Sequence, residues 1–128
     1  MTEQDATDWL QRCGEAWVAG DPDAVVRLLT ADATYRETPF DEPMRGTEAI
    51  RAYWQEGAAD GQTDVSFSST VWGVKETHAF AHCQAAFTRV ASGRRVELDG
   101  SFHLTFAQDE GELRCAALRE WWHRREMG

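Results

Sequence analysis

No stretch of this chain is apolar enough to span a membrane, and its start, MTEQDATDWL, is polar and acidic, unlike a signal peptide. Basic runs are missing too. Thirteen Lys and Arg stand against 22 Asp and Glu, a formal net charge of −9, which disfavours nucleic acid or an anionic membrane surface as partner. Residues 1–64 hold 14 acids and 5 bases, whereas residues 65–128 hold 8 of each. Cysteine is sparse. Cys13, Cys83 and Cys115 are odd in number and lack metal-ligand spacing, so they read as buried free thiols and the expected location is cytoplasmic. There is no linker, repeat or low-complexity segment. Nor is there a Gly-rich phosphate loop, a Ser/His/Asp order or a catalytic Cys/His pairing.

What is present is enough for one ordered domain over residues 1–128. A chain of 128 residues can bury roughly two thirds of its surface, and an apolar share of 42% with six Trp provides the core. The most informative stretch is Val96 to Phe106, VELDGSFHLTF. Val96, Leu98, Gly100, Phe102, Leu104 and Phe106 alternate with Glu97, Asp99, Ser101, His103 and Thr105. Strict period-two alternation gives a β-strand one dry and one wet face. At ~3.3 Å per residue the strand is long, and it belongs mid-sheet with partners on both sides.

Ahead of it, Asp5 to Ala19 has helical spacing through Trp9, Cys13, Ala16 and Trp17, with Gly20 as a stop and Asp21-Pro22 opening a second helix through Leu29. Ala33 to Thr38 reads as a short strand with Tyr35 and Glu37 on one face. Pro39 to Gly46 is a turn-rich loop, and Thr47 caps a third helix carrying Ile50, Tyr53 and Trp54. Thr63–Val74, His78–Ala91 and Glu112–Arg124 alternate as strands around the central one, with tight turns at Ser92-Gly93 and Gln108–Gly111. The fold class is therefore α+β, a curved antiparallel sheet with N-terminal helices packed on one face.

The segment ATYRETPFDEPMRGTEAIRAYW (Ala33–Trp54), with GDPDAVVRLLTADA before it and LDGSFHLTF and LREWW after it, resembles the nuclear-transport-factor-2-like superfamily. It is most similar to the ketosteroid-isomerase and SnoaL-like branch. The resemblance spans nearly the whole chain and implies a cone: a curved sheet wrapped around N-terminal helices, with an apolar internal cavity and frequent dimerisation through the outer sheet face. It also implies that Glu37 stands at the isomerase's proton-shuttling position. The two oxyanion donors are not matched, because Cys13 and Phe102 occupy those positions. Losing such a donor costs about 3 kcal/mol or more, which argues against steroid isomerisation by that mechanism.

Strand parity turns Cys83, Ala85 and Phe87 inward with Leu98, Phe102 and Phe106. The expected ligand-binding residues are Tyr35, Trp54, Cys13, Phe87, Phe102 and Trp122. Leu118, Glu120 and Trp122 share a face, which the resemblance puts inside. Glu37 and Glu120 would then be a catalytic pair of carboxyls whose pKa values burial and mutual repulsion raise. In the alternative arrangement, Glu120 is paired to an arginine at the cavity mouth and Glu37 is solvated.

A two-residue turn at Ser92-Gly93 would set His82 against His103 on the outer face. Its flanking pairs, Gln84–Ser101 and Phe80–Thr105, supply no third ligand for zinc, so no metal is expected. Trp121, facing away from Trp122, suggests with His82 and His103 a homodimer through the outer face. Three functions fit: a cofactor-free proton-transfer enzyme of isomerase, cyclase or lyase type with Glu37 as acid/base, a binding module for a small apolar molecule, or a dimerisation module.

Overall fold

In the computed structural model, which describes residues 1–127, the alternating segments become a single sheet. In chain order the elements are α1 (Glu3–Ala19), α2 (Pro22–Arg27), β1 (Leu29–Arg36), β2 (Met44–Arg45), α3 (Thr47–Trp54), a π-helical turn (Gln55–Ala59), β3 (Gln62–Lys75), β4 (His78–Arg89), β5 (Arg95–Asp109) and β6 (Glu112–Met127). The strands lie in the order β2-β1-β6-β5-β4-β3. All neighbours are antiparallel except β1 and β6, which run parallel. The sheet is curved and unclosed, and the helices fill its concave side as the cone expected from the sequence.

β5 has β4 on one side and β6 on the other. Val96, Phe102, Leu104 and Phe106 are buried, Leu98 is half-buried on the same face, and Asp99 is exposed. Alternation therefore decides which face becomes core. α1 completes that core with buried Trp9, Leu10, Cys13, Ala16 and Trp17. Each large apolar side chain contributes ~1.5–3 kcal/mol on burial, so this contact outweighs any helix propensity in fixing α1. Gly14 allows the approach, because a Cβ there would stand 2.5 Å from the Phe67 ring of β3.

The helix ends have chemical causes. Thr2 and Asp5 form a capping box, so α1 starts at Glu3 rather than Asp5. Gly20 closes α1 at φ 63°, a backbone conformation cheap only for glycine. Asp21 then accepts from the Ala24 N–H as cap of α2. α2 stops at Arg27, and β1 begins at Leu29, four residues before the expected strand start at Ala33. Leu28 and Leu29 are apolar because they pack, and they carry no helical period of their own. Gly46, not Thr47, occupies the cap position of α3.

The hairpin between β4 and β5 corrects one expectation. Arg89 N–H donates to Arg94 O at 2.9 Å, and Gly93 N–H donates to Arg89 O at 2.8 Å, so the connection is longer than a two-residue turn. Register shifts by two. His82 faces Ser101, and His103 faces Phe80. His82 and His103 are thus not opposed: His82 Nε2 meets Asp99 at 2.7 Å, while His103 Nε2 lies 2.9 Å from His78 Nδ1. A shift of two preserves parity, which is why the inward set survives the error. The other tight turn forms as expected, with Glu110 and Gly111 at φ 53° and 78° between β5 and β6.

Candidate active site

Between the concave face of the sheet and the helices α1 and α3 is a cavity of about 520 Å³. α1 contributes Trp17, α3 contributes Tyr53 and Trp54, and the π-helical turn contributes Gly57 and Ala58. Phe87 and Arg89 come from β4, Leu98 from β5, and Glu120, Trp122 and Arg124 from β6. Tyr35 projects from β1, and Glu37 follows one residue beyond the strand's end. A wider hollow of about 810 Å³ runs past Gln84, Glu97, Asp99 and Arg125 and shares Leu98 and Arg124 with the inner cavity. On its outer side Gln84 donates to Asp99 and Arg125 to Glu97, both at 2.8 Å. The chemistry points to the inner cavity.

Glu120 is the focus of that cavity. It is 6% exposed, and its two oxygens are held separately. The Tyr35 hydroxyl donates to Oε2 at 2.9 Å, and the Trp122 indole N–H donates to Oε1 at 3.2 Å. Burial and then the nearby Glu37 charge push the Glu120 pKa up to about 8, and the two donated hydrogen bonds only partly offset them. At neutral pH its carboxyl therefore keeps its proton. Glu37 is exposed at the mouth, yet its neighbours remove enough water to raise its pKa above the ordinary value. Two carboxyls of unequal burial thus face one cavity, the deeper one neutral and the outer one able to ionise.

β6 reaches this geometry through a bulge. The β5–β6 register shifts between Thr105 and Phe106, so Ala117 pairs with Thr105 and Cys115 with Phe106. Buried Cys115 and buried Leu118 can then both point to the core, and Leu118, Glu120 and Trp122 follow at two-residue steps. Trp54 is buried, packs edge-on to Trp17 and Tyr35 with ring centroids 5.6 and 6.4 Å away, and its indole N–H has no nitrogen or oxygen partner among the described residues.

A family profile for the SnoaL-like domain matches residues 10–114. The chain belongs to the SnoaL-like family. Its place in the wider nuclear-transport-factor-2-like superfamily, expected from the strand–loop–helix segment, follows from that match and from the fold. No curated protein matches the sequence. Among solved structures, a conserved protein from Planctomyces limnophilus is 21% identical, with 96% of this chain and 97% of that one covered and a TM-score of 0.81. A type 2 hexachlorocyclohexane dehydrochlorinase (LinA) is 8% identical over 98% of this chain and 88% of its own, TM-score 0.81. SalBIII, an epoxide hydrolase/cyclase-like enzyme with a role in pyran ring formation in the polyether salinomycin, is 19% identical over 94% and 92%, TM-score 0.79. At these identities the likeness is one of fold.

Six of the eight site residues expected from sequence line this SnoaL-like cavity: Glu37, Glu120, Tyr35, Trp54, Phe87 and Trp122. Cys13 and Phe102 are buried one layer behind it. Phe102 packs edge-on to Trp122 at 5.2 Å, and burial first, then Glu120, push the Cys13 thiol pKa far up. Among the described residues Glu120 has no arginine partner, and Tyr35 and Trp122 take that place. Sequence reasoning passed over Trp17, Tyr53, Gln62, Arg89 and Arg124. Of these Arg89 and Arg124 carried a signal, each two residues past an inward aromatic, Phe87 and Trp122, on the same strand face. Among the described residues no three His, Cys, Asp or Glu side chains gather to hold a metal ion.

Proposed function

We propose that the cavity binds a small, mostly apolar molecule and moves a proton on it, with Glu37 and Glu120 as base and acid. The observation that carries this reading is a carboxyl buried in an aromatic cavity with a donor fixed on each oxygen and a second carboxyl at the mouth, burial and that neighbour raising its pKa. Ionised Glu37 takes a proton from a carbon beside a carbonyl or leaving group. Neutral Glu120 gives one to the oxygen where charge develops, and the Tyr35 hydroxyl, which donates to Oε2, stabilises the carboxylate left behind. The step leaves Glu37 protonated and Glu120 ionised; exposed Glu37 then releases its proton to water at the mouth, and Glu120 takes one back from water that enters as product leaves, so both carboxyls are reset. General acid–base transfer of this kind contributes typically ~100- to 10,000-fold. Isomerisation, elimination and ring closure all have this form, and the dehydrochlorinase and the cyclase-like enzyme on the same scaffold support it.

The test uses 2-tetralone in D₂O, following exchange of its acidic CH₂ protons by NMR. Exchange faster than buffer is expected, falling ~100-fold or more in Glu37→Gln and in Glu120→Gln. The rate should rise as Glu37 ionises and fall as pH passes about 8, where Glu120 loses its proton. Exchange no faster than buffer, or unchanged in both variants, contradicts the reading.

The outer face supports a second role. Trp72, Phe80 and Trp121 are 67%, 43% and 46% exposed on it, and Trp72 stacks on His82 at 5.4 Å. We propose that a second copy of the chain covers these aromatics, with His82 and His103 at the interface. We also propose residence in the cytoplasm, on the three buried free thiols.

A further inference from the structure

We propose that the ligand of this cavity carries a carboxylate, and that Arg124 holds it at the end of the cavity remote from Glu120. The inference rests on the reading of the cavity as a ligand site and adds the class of ligand.

Arg124 lines the cavity and makes no hydrogen bond or ion pair among the described residues. The chain carries nine more acids than bases, and the other arginines about this opening are engaged. Arg89 donates from Nε to Glu126 Oε1 at 3.2 Å, and its guanidinium lies 5.5 Å from the Phe87 ring centre. Arg125 donates to Glu97 on the opposite face of β6. Gln62, also in the cavity wall, accepts from the Trp17 indole at 2.7 Å, and its NH₂ has no acceptor among the described residues. One side of the mouth therefore presents donors without an acceptor.

β6 spaces the two ends. Glu120, Trp122 and Arg124 stand at alternate positions and line the same cavity, so the Glu120 and Arg124 backbones are separated by ~13 Å at strand rise. Trp122 between them offers an aromatic wall. A molecule spanning that distance has an apolar body of one or two rings, a proton-bearing centre at Glu120 and an acceptor at Arg124. The guanidinium's planar fork matches a carboxylate in two parallel hydrogen bonds. A carboxylate beside Glu120 would be repelled by ionised Glu37 at the mouth. Polarity therefore sets which way the ligand enters.

Calorimetric binding of 2-naphthylacetate, 2-naphthylacetamide and 2-naphthyl phosphate at low salt tests this. The acetate is expected to bind at least ~10-fold more tightly than the amide, as a charge-assisted hydrogen bond implies. That preference should shrink to ~3-fold or less in Arg124→Ala and be partly kept in Arg124→Lys. Arg124 is exposed, so neither variant should unfold. Equal binding of acetate and amide to the wild type overturns the proposal, and so does a preference that survives Arg124→Ala. Tighter binding of the phosphate replaces a carboxylate ligand with a phosphorylated one. Binding of none of the three at millimolar concentration overturns the ligand reading altogether. Failure of the proton-transfer reading shows separately, as 2-tetralone exchange that persists in Glu120→Gln while the acetate preference is intact.

Discussion

Replacing Glu120 with Gln should make the protein less sensitive to alkali, and the size of the effect follows from linkage. In the folded state Glu120 titrates at about 8, against an ordinary value of 4.5. Between those values the folded chain holds a proton that the unfolded chain has lost. The stability associated with it is complete below 4.5 and falls by ~1.4 kcal/mol per pH unit until about 8, where it levels off. From pH 6 to pH 9 the wild type should therefore lose ~2–3 kcal/mol from this group alone. Glu120→Gln is uncharged at both pH values and retains an acceptor for one of the two donors, so it should lose none of that amount. Groups that titrate in both proteins cancel in the difference. Urea unfolding of the two proteins at pH 6 and pH 9 measures it. If both lose the same stability over that interval, Glu120 is not a buried neutral acid and the account of the site fails.

Tyr35→Phe removes the donor on Oε2, so the alkaline limb of 2-tetralone exchange should move to higher pH, because a hydrogen bond to the ionised form lowers a carboxyl's pKa; an unmoved limb contradicts the assignment. Gly100→Ala would drive a Cβ into the Trp121 carbonyl and the Trp122 ring, and the urea midpoint should fall by an amount equivalent to ~1–3 kcal/mol, whereas an unchanged midpoint refutes the close approach of β5 to β6. Cys13, Cys83 and Cys115 are buried with raised thiol pKa values, so 5,5′-dithiobis(2-nitrobenzoate) should label none within minutes in buffer and all three in urea; prompt native labelling contradicts that packing. Sedimentation at tens of micromolar, an ordinary range for weak association, should give a dimer that Trp121→Ser converts to monomer, and a monomeric wild type removes the proposed interface.

The fold was legible wherever one physical signal dominated. Alternation along Val96–Phe106 identified the buried face, because a strand's side-chain period of two leaves no intermediate arrangement. The same period made the inward positions of β4 robust to a register error that misplaced His82 and His103, since parity survives a shift of two residues. Hairpin length depends on how Arg89 and Arg94 bond across Val90–Gly93, and composition alone does not show that. Glu37 and Glu120 were legible as carboxyls on inward faces. The Tyr35–Glu120 bond was not, because it joins residues 85 apart in sequence through the parallel β1–β6 pair. Gln62 was hidden for the same reason: the curl of the sheet, and not local sequence, brings it to the cavity.

The central claim is that Glu120 is a neutral acid at pH 7. The direct measurement is a pH titration of its side-chain carboxyl carbon by NMR in ¹³C-glutamate-labelled protein, with Glu120→Gln assigning the resonance. A midpoint near 8 is predicted, from burial and the proximity of Glu37. A midpoint between ~4 and ~5, the range of an ordinary glutamate, would contradict it.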